Sequence, residues 1–343
     1  MTSHRAAVSA LRVGMAGTGG IAAAHLPAWL SLGVSVRLYS TDGTAEAVAA
    51  AHGAAVTVAE SWRDLVTGAD VIDVCTPSDT HADLVLSAID AGCDVLCEKP
   101  LALTAADADM LVHRAHAAGR RLFPGHVVRY FPAYEALARA VADDDLGRIA
   151  CARFTRTGAA PDWAAWFHDP ARSGGIIIDQ MIHDIDQAVS LFGEVVRVHA
   201  RQSTSSDRDG TASAVATLEH RSGAISTVIG VWGPTGTPFR TTYEVTGTGG
   251  TIRHDSAESS GLVVRGAVAG GGEARGIPLG DSAETPFHRE IDEFATAFAG
   301  GPAPRVTAAD GAEAVRVAEA CARSALDGRE IVLSGVAVQE EGA

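Results

Sequence analysis

The chain has 343 residues, of which 47% are apolar and 20% charged, and it carries a formal net charge of −15. At roughly 100–200 residues per domain, this length predicts two domains with ample material for their cores. Nucleic acids and anionic membranes are bound through clusters of lysine and arginine, and the sequence contains no run of basic residues. We therefore expect neither of them as a partner.

The cysteines and the apolar runs bear on the compartment. Five cysteines, an odd number, argue against a disulfide framework, so we expect buried, reduced thiols. Structural zinc is not expected, because no second cysteine pair follows Cys93 and Cys97 at zinc-site spacing. The first 17 residues lack the long apolar stretch of a signal peptide and resemble a frayed lead-in to a strand. No apolar run reaches the roughly 18 residues that span a membrane, so we expect a soluble, cytoplasmic protein.

The first third of the chain alternates between strand-like and helix-like segments. The apolar runs that predict strands are 11–17, 34–40, 69–77, 94–100 and 121–127. The segments that predict helices are 21–32 (interrupted at Pro27), 44–53 (ended by Gly53), 61–68 (opened by Ser61), 80–92 and 104–119. This order predicts a parallel sheet with helices on both faces and a ligand site beyond the carboxyl ends of its strands.

After about residue 126 the pattern changes to longer strands with few helices between them. The strand-like segments are 148–158, 195–204, 211–220, 224–233, 241–255 and 260–268. The helical segments are 132–143, 176–192, 285–299 and 308–327. Turn-like connections between successive strands predict mostly antiparallel pairing.

The first predicted turn contains the pattern G-x-G-x-x-A, which begins at Gly17 and lies between a strand and a helix. The first glycine permits a tight turn, the second lets the backbone approach a pyrophosphate, and the helix N-terminus offers free N–H groups to that anion. A plain strand-to-helix turn is the alternative, but the surrounding pattern favours dinucleotide binding. The expected cofactor contacts of this turn are Gly17, Thr18, Gly19, Gly20 and Ile21.

These patterns together predict an α/β fold with two domains. Residues 1–125 form an N-terminal Rossmann dinucleotide-binding domain. Residues 126–343 form a C-terminal α+β domain, with a large, mostly antiparallel open sheet, that serves substrate binding and oligomerisation.

The end of the second strand bears on the choice of cofactor. An acid that binds the adenosine ribose usually stands there, about 20 residues after the glycines. Here the strand ends in Ser40 and Thr41, whose hydroxyls tolerate a 2′-phosphate better than a carboxylate would. No arginine follows, however, and Asp42 is near enough to reach a ribose. We therefore expect NAD(P), with a slight preference for NADP.

Two further strand ends supply candidate residues. Thr76 and Pro77 follow the third strand beside the expected cofactor, and His81, near the start of the next helix, faces either the site or solvent. Glu98 and Lys99 end the fourth long strand, and the lysine stands where a nicotinamide ring would lie. A surface lysine paired with Glu98 is the alternative for that residue.

The stretch "DQMIHDIDQ", residues 179–187, crowds carboxylates around one imidazole. Asp179 and His183 are four residues apart and would share one face of a continuous helix. An acid–base pair, a metal site and an ordinary polar helix face all fit this pattern. We expect no metal, because no further ligand stands at a diagnostic spacing.

The segments "GTGGIA", "EKPLALT" and 166–193 together resemble the Gfo/Idh/MocA oxidoreductases, which include inositol, glucose and other sugar dehydrogenases. The resemblance runs from about residue 11 to 334 and takes in 125–134 and 306–333. It implies an NAD(P)-dependent enzyme that moves a hydride between nicotinamide and a hydroxyl-bearing carbon of a sugar, inositol or related polyol. It also implies a homo-oligomer, a dimer or a tetramer.

The resemblance also implies roles for particular residues. Lys99 matches the lysine that contacts the reacting hydroxyl and the nicotinamide ribose. His183 would be the general base in oxidation and the general acid in reduction, and Asp179 would help to hold the substrate. Arg129 is a further candidate for the substrate site, because it follows a strand into the second domain.

Two other functions remain open from the sequence. A non-catalytic sensor would bind a dinucleotide on the same fold, but sensors tend to lose the catalytic residues that this chain retains. An NAD-dependent glycosidase would use the same cofactor without net reduction. The identity and stereochemistry of the substrate and the physiological direction are not predicted.

Overall fold

The computed structural model describes residues 2–162, 164–205, 210–258, 262–266, 275–276 and 284–333. The chain forms two compact units, each assembled from separate stretches of sequence. The first unit comprises Met1–Tyr134, Asp169–Gly174 and Gly280–Val315. The second comprises Glu135–His168, Gly175–Leu279 and Arg316–Ala343.

Two sheets account for the described strands. The strands of the first unit are β1 (Arg12–Ala16), β2 (Ser35–Tyr39), β3 (Val56–Val58), β4 (Val71–Val74), β5 (Asp94–Glu98) and β6 (Leu122–Gly125). Those of the second unit are β7 (Ile149–Ala159), β8 (Val195–Thr204), β9 (Ala212–His220), β10 (Ile225–Gly233), β11 (Arg240–Gly247), β12 (Gly250–Asp255), β13 (Leu262–Gly266), β14 (Arg275–Gly276) and β15 (Ile331–Val332).

The helices follow the same chain order. They are α1 (Thr2–Ser9), α2 (Ala22–Ser31), α3 (Ala45–His52), α4 (Trp62–Val66), α5 (His81–Asp90), α6 (Ala105–Ala117), α7 (Pro132–Ala142), α8 (Pro170–Ser173), α9 (Gly175–Asp179), α10 (Ile182–Phe192), α11 (Pro286–Phe298) and α12 (Ala308–Asp327). Short 3₁₀ turns occur at Gly53–Ala55, Ser78–Thr80, Val127–Tyr130 and Ala165–His168.

The first unit is built on a parallel six-stranded sheet in the order β3-β2-β1-β4-β5-β6. Its central strands are mostly apolar, and all four residues of β4 are buried, as expected for a sheet covered on both faces. The strand order reverses between β1 and β4, which is where such folds bind dinucleotides. The predicted Rossmann domain is confirmed.

Local signals in the sequence explain where several helices begin and end. The Ser61 hydroxyl accepts a hydrogen bond from the Asp64 N–H at 3.1 Å and so caps α4. Thr104 caps α6 in the same way, with its hydroxyl 3.1 Å from the Asp107 nitrogen. Gly53 ends α3 at a φ of 70°, a conformation that glycine adopts without strain.

The second unit contains a mostly antiparallel nine-stranded sheet in the order β14-β13-β12-β11-β7-β10-β9-β8-β15, in which β7 and β10 pair in parallel. Alternate residues of β9 are buried, as expected when one face of a sheet packs on a core. On that face Phe154 packs near Phe192 and Tyr243, with ring centroids 6.3 Å from each. The predicted open sheet is confirmed.

Four sequence predictions about elements are wrong. Residues 2–9 form helix α1 instead of a frayed lead-in. Helix α2 continues through Pro27, which lies on its exposed side, because the helix can lose one hydrogen bond and remain packed. The segment 241–255 is a hairpin of β11 and β12. The segment 176–192 is two helices, α9 and α10.

Other differences concern short elements, cysteines and the chain's ends. The sequence did not predict β3, β14 and β15, which have two or three residues each. The strand predicted over 260–268 is present as β13, and its predicted ends lie outside the described residues. All five cysteines are free thiols and four are buried, but Cys151 is exposed. Among the described residues, no helix combines the length and apolarity needed to cross a membrane.

Candidate active site

The turn after β1 is shaped by its glycines. Gly17 has a φ of 94°, and its N–H donates to the Tyr39 carbonyl at 2.9 Å. A Cβ on Gly17 would lie 2.5 Å from the Cys75 carbonyl oxygen, so only glycine fits. A Cβ on Gly19 or Gly20 would meet nothing within 4 Å. The space in front of the start of α2 is therefore open, as the cradle for a pyrophosphate must be.

The loop after β2 is held by a small polar network. The Asp42 carboxylate accepts hydrogen bonds from the Thr44 N–H at 3.1 Å and from the Thr44 hydroxyl at 2.6 Å. These bonds hold the pKa of Asp42 below its ordinary value. Ser40 accepts from the Ala45 N–H at 3.1 Å, and the hydroxyls of Thr18 and Thr44 are in contact. The glycine turn and this loop are therefore linked, with a charged Asp42 beside the exposed Thr41.

The segment after β4 is joined to the segment after β5 by His81. Its Nδ1 lies 2.7 Å from the Pro100 carbonyl and its Nε2 lies 2.9 Å from the Thr76 carbonyl. The ring is buried, and burial lowers its pKa. The Pro77 carbonyl accepts from the Thr80 hydroxyl at 2.7 Å. His81 therefore faces the interior, and we expect it to act by holding these two strand ends.

Lys99 follows the last residue of β5. Its N–H donates to the Glu98 carboxylate at 3.0 Å, and its side chain is half-buried. The peptide between Lys99 and Pro100 is cis. Glu98 itself is buried, so the predicted alternative of a surface pair does not describe its position.

Lys99 is also the only lysine in the sequence: of the 27 basic residues that are lysine or arginine, one is lysine and 26 are arginine. An arginine guanidinium stays protonated at any physiological pH, whereas a lysine amine can exchange its proton. This compositional signal was not used in predicting the site, and it favours a chemical role for Lys99.

Arg129 lies in the first unit. Its guanidinium donates to the Asp310 carboxylate at 3.3 Å and to the Arg305 carbonyl at 3.2 Å. These contacts attach the turn at Val127–Tyr130 to the start of α12. Its contact with a substrate stays a prediction.

The second unit carries Asp179 and His183 on two helices. The N–H groups of Gln180 and Met181 both donate to the Ile176 carbonyl, at 3.0 and 2.9 Å. The second of these bonds spans five residues and widens the turn, a feature often found near functional sites. Asp179 therefore ends α9 and His183 lies in the first turn of α10, so their spacing does not by itself place them on one helix face.

The position of α10 is fixed next to His183. Asp184 is fully buried and binds the guanidinium of Arg156 on β7, with nitrogen–oxygen distances of 3.0 and 2.9 Å. This ion pair attaches the first turn of α10 to β7. Asp179 is buried and His183 is half-buried.

The first unit also contains a buried polar cluster that was not predicted from the sequence. His25 on α2 lies with its Nδ1 3.0 Å from the Asp73 carboxylate on β4, and with its Nε2 3.0 Å from the Glu98 carboxylate. Trp29 donates to Asp73 at 2.8 Å, and Cys75 donates to it at 3.3 Å. An aspartate in the middle of an apolar strand, "VIDVC", was the available signal.

Atoms of His25, Asp73 and Cys75 lie within 4.8 Å of one another, a spacing that metal sites also show. The hydrogen bonds to Asp73 account for this spacing without an ion.

The parallel sheet, the open glycine turn at its switch point and the polar strand ends define a dinucleotide-binding protein. Sequence models agree: the oxidoreductase family with an NAD-binding Rossmann fold matches residues 11–126, and the Gfo/Idh/MocA C-terminal domain matches residues 134–253. The chain belongs to the Gfo/Idh/MocA family of oxidoreductases.

Individual relatives extend over nearly the whole chain. Inositol 2-dehydrogenase 1 of Saccharopolyspora erythraea is 32% identical, with 94% of this chain and 96% of that protein covered. Inositol 2-dehydrogenase of Rhizobium meliloti is 29% identical, with 94% and 99% covered. The crystal structure of an oxidoreductase domain protein from Kribbella flavida superposes with a TM-score of 0.84 at 25% identity, covering 95% of this chain and 99% of that one.

Proposed function

We propose that the protein is an NAD(P)-dependent dehydrogenase that oxidises a hydroxyl-bearing carbon of a sugar, inositol or related polyol, or reduces the corresponding carbonyl. The observation that carries this proposal is that the only lysine of a Gfo/Idh/MocA chain stands at the carboxyl end of β5. The relatives named inositol 2-dehydrogenase support a polyol substrate.

The residues have complementary tasks in the proposed reaction. The cofactor, when bound, accepts the hydride that leaves the carbinol carbon. The hydroxyl proton goes to the imidazole of His183, since an imidazole exchanges protons near neutral pH. The ammonium group of Lys99 stabilises the negative charge that develops on the oxygen. Asp179 holds the substrate next to His183. The O–H and C–H bonds break as the carbonyl forms, so proton and hydride are both accounted for.

The cofactor would lie along the carboxyl edge of the first-unit sheet. The open space at Gly19 and Gly20 fits its pyrophosphate, and the turns that contain Thr76 and Pro77 would border the nicotinamide end. We propose that the neutral residues Ser40 and Thr41 allow NADP to bind and give it a slight preference, with Asp42 as the group that opposes it.

A panel of myo-inositol, D-xylose, D-apiose and levoglucosan, assayed with NAD⁺ and NADP⁺, tests the proposal. We expect the absorbance of the reduced nicotinamide, at about 340 nm, to increase with at least one compound. Cofactor binding without any such increase would favour a sensor. Release of a sugar from a glycoside without net reduction of the cofactor would favour a glycosidase.

We also propose a homo-oligomer formed through the outer face of the nine-stranded sheet. Val215 on β9 is 41% exposed and pairs in register with Ile229 on β10, and Ile225 is 46% exposed. An exposed row of β-branched apolar residues favours burial against a second copy. Light scattering should show a dimer or tetramer that Val215→Glu weakens.

The five free thiols support a reducing, cytoplasmic location.

A further inference from the structure

His25 is the centre of a buried polar cluster that joins three elements of the first-unit sheet. It comes from α2, the helix that the glycine turn opens, and it contacts Asp73 on β4 and Glu98 at the end of β5. The side chains of His25 and Asp73 are fully buried, and that of Glu98 is 7% exposed. These elements meet at the switch point of the sheet, where a cofactor is expected.

The two ring nitrogens of His25 have different partners. Nδ1 lies 3.0 Å from Asp73, which Trp29 and Cys75 also contact, so this side of the ring is held firmly. Nε2 lies 3.0 Å from Oε1 of Glu98, an ion-pair contact without the alignment of a good hydrogen bond. Burial lowers the pKa of His25, but the neighbouring Asp73 carboxylate favours the protonated ring. The pKa of His25 therefore lies well above its ordinary value. His25 is therefore a cation between two acids.

Glu98 transmits this contact to Lys99. One of its carboxylate oxygens faces His25, and the other accepts the backbone N–H of Lys99 at 3.0 Å. The carboxylate packs against Gly125 of the neighbouring strand, where a Cβ would lie 2.9 Å from Oε1, so it occupies space that only a glycine leaves free. The position of the Lys99 backbone is thus tied through Glu98 to the helix that begins at the glycine turn.

A third acid, Glu290 on α11, faces the same cluster. It is fully buried, and neither of its oxygens has a hydrogen-bond partner among the described residues. Burial raises the pKa of Glu290 well above its ordinary value, and the charge of Glu98 raises it further. Because an isolated buried charge is costly, Glu290 is favoured in its neutral form, and the imidazole of His25 lies between the carboxylates of Asp73 and Glu98.

We propose that His25 is a positioning residue for Lys99, acting through its contact with the Glu98 carboxylate. The inference rests on the proposed role of Lys99 in the reaction. It assigns the two nitrogens separate functions: Nδ1 anchors the ring on Asp73, and Nε2 holds Glu98. Loss of the second contact should misplace the lysine more than loss of the first.

Two substitutions separate these contacts. His25→Gln keeps an amide nitrogen near the place of Nε2, and His25→Asn keeps one near the place of Nδ1. We expect His25→Asn to lower kcat about 10-fold or more and His25→Gln to lower it less, while the Kd for NADH changes less than about 3-fold in both. The substrate is myo-inositol, or whichever of the four panel compounds the wild-type protein turns over fastest. Equal losses in the two variants, or a wild-type kcat in His25→Asn, would overturn the inference.

Controls separate positioning from stability. His220 is a buried histidine of the second unit, with Nδ1 2.8 Å from the Gly193 carbonyl and Nε2 2.9 Å from the Ser226 hydroxyl. His220→Gln should lower the melting temperature without lowering kcat of the folded protein. If His25→Asn does not fold, Glu98→Gln tests the same contact from the other side, and a wild-type kcat in that variant would contradict the inference.

The single lysine permits a readout that needs no substrate. Reductive methylation with ¹³C-formaldehyde labels Lys99 as the only side-chain amine. We expect its ¹³C-methyl signal to move in His25→Asn and to stay near the wild-type position in His25→Gln; unmoved signals in both variants would overturn the inference. Lys99→Ala, assayed in parallel, distinguishes the two proposals: wild-type turnover in Lys99→Ala would refute the proposed function, whereas an inactive Lys99→Ala beside a fully active His25→Asn would refute only this inference.

Discussion

Arg156 and Asp184 form a buried, two-pronged ion pair, with guanidinium nitrogens 3.0 and 2.9 Å from the two carboxylate oxygens. Arg156 lies on β7 and Asp184 lies in the first turn of α10, one residue after His183. A pair with this geometry satisfies both charges at once, and it anchors the start of the helix to the sheet. The predicted general base is therefore carried by a fixed backbone.

Removing one partner of this pair should be costly. Asp184→Ala removes both hydrogen-bonded oxygens that face the buried Arg156 guanidinium, and we expect the free energy of unfolding to fall by about 3–5 kcal/mol. Arg221 and Glu194 form an exposed pair in the same unit, so Arg221→Ala is the matched control and should lower the free energy of unfolding far less. Urea unfolding followed by circular dichroism measures both; similar losses would show that burial of the pair is unimportant.

The glycines of the first turn should respond differently to substitution. Gly17→Ala places a Cβ 2.5 Å from the Cys75 carbonyl at a φ of 94°, so it should lower both stability and cofactor affinity. Gly19→Ala meets no protein atom within 4 Å. We expect its unfolding free energy to stay within about 0.5 kcal/mol of the wild type, while the Kd for NADH rises at least about 10-fold, since the new methyl group occupies the space of the pyrophosphate. Unchanged binding in Gly19→Ala would place the cofactor elsewhere.

The order of strands and helices in the first unit was predictable because the relevant signals are local. Ser61 and Thr104 cap their helices through contacts three residues away, and Gly53 ends α3 by its own conformation. The strands β1 and β4 could be predicted from short, mostly apolar runs of consecutive residues. Each signal is contained in one short stretch of sequence.

The features that the sequence did not predict depend on distant contacts. Tertiary packing keeps Pro27 inside α2, against its local preference. The widened turn at Met181 interrupts a segment in which neither proline nor glycine marks a break. The ion pair of His25 and Asp73 joins residues 48 positions apart, so no local pattern reveals it. The first unit also includes two later segments, Asp169–Gly174 and Gly280–Val315, which no local pattern assigns to it. The functional division of the chain at residue 125 stays a prediction.

Asp42 should control the choice of cofactor. Asp42→Asn keeps an oxygen that can accept the Thr44 N–H and removes the charge beside the expected ribose. We expect the ratio of kcat/KM for NADP⁺ to that for NAD⁺ to rise about 5- to 10-fold, because the substitution removes the repulsion between two negative charges at an exposed site. Glu60→Gln, which removes an exposed charge elsewhere in the unit, should leave the ratio unchanged. A ratio that also stays unchanged in Asp42→Asn would show that the carboxylate does not face the 2′ position.

The ion pair of Arg240 and Asp255 should make the stability of the fold depend on pH in the acidic range. Hydrogen bonding to Arg240 lowers the pKa of Asp255 from 3.8 to about 2. The pKa of Asp255 is lower in the folded than in the unfolded protein. The ion pair therefore stabilises the fold fully above about pH 4, and this stabilisation is lost as the pH falls towards 2. Arg240 is half-exposed, so we expect Arg240→Gln to lower the urea midpoint modestly at pH 6 and much less at pH 2.5. Urea midpoints at the two pH values test this, and a cost independent of pH would assign the effect to packing.

Substitution of Lys99 and His183 tests the proposed chemistry directly. We expect Lys99→Ala and His183→Ala each to lower kcat at least about 100-fold, since each removes a group that carries charge or a proton in the transition state. Cofactor titration by NADH fluorescence should still show binding in both. Lys99→Arg is the informative control, because it keeps the positive charge but presents a larger, planar group that stays protonated. If Lys99→Arg restores most of the turnover, the lysine acts only as a charge, and the presence of a single lysine among 26 arginines would need another explanation.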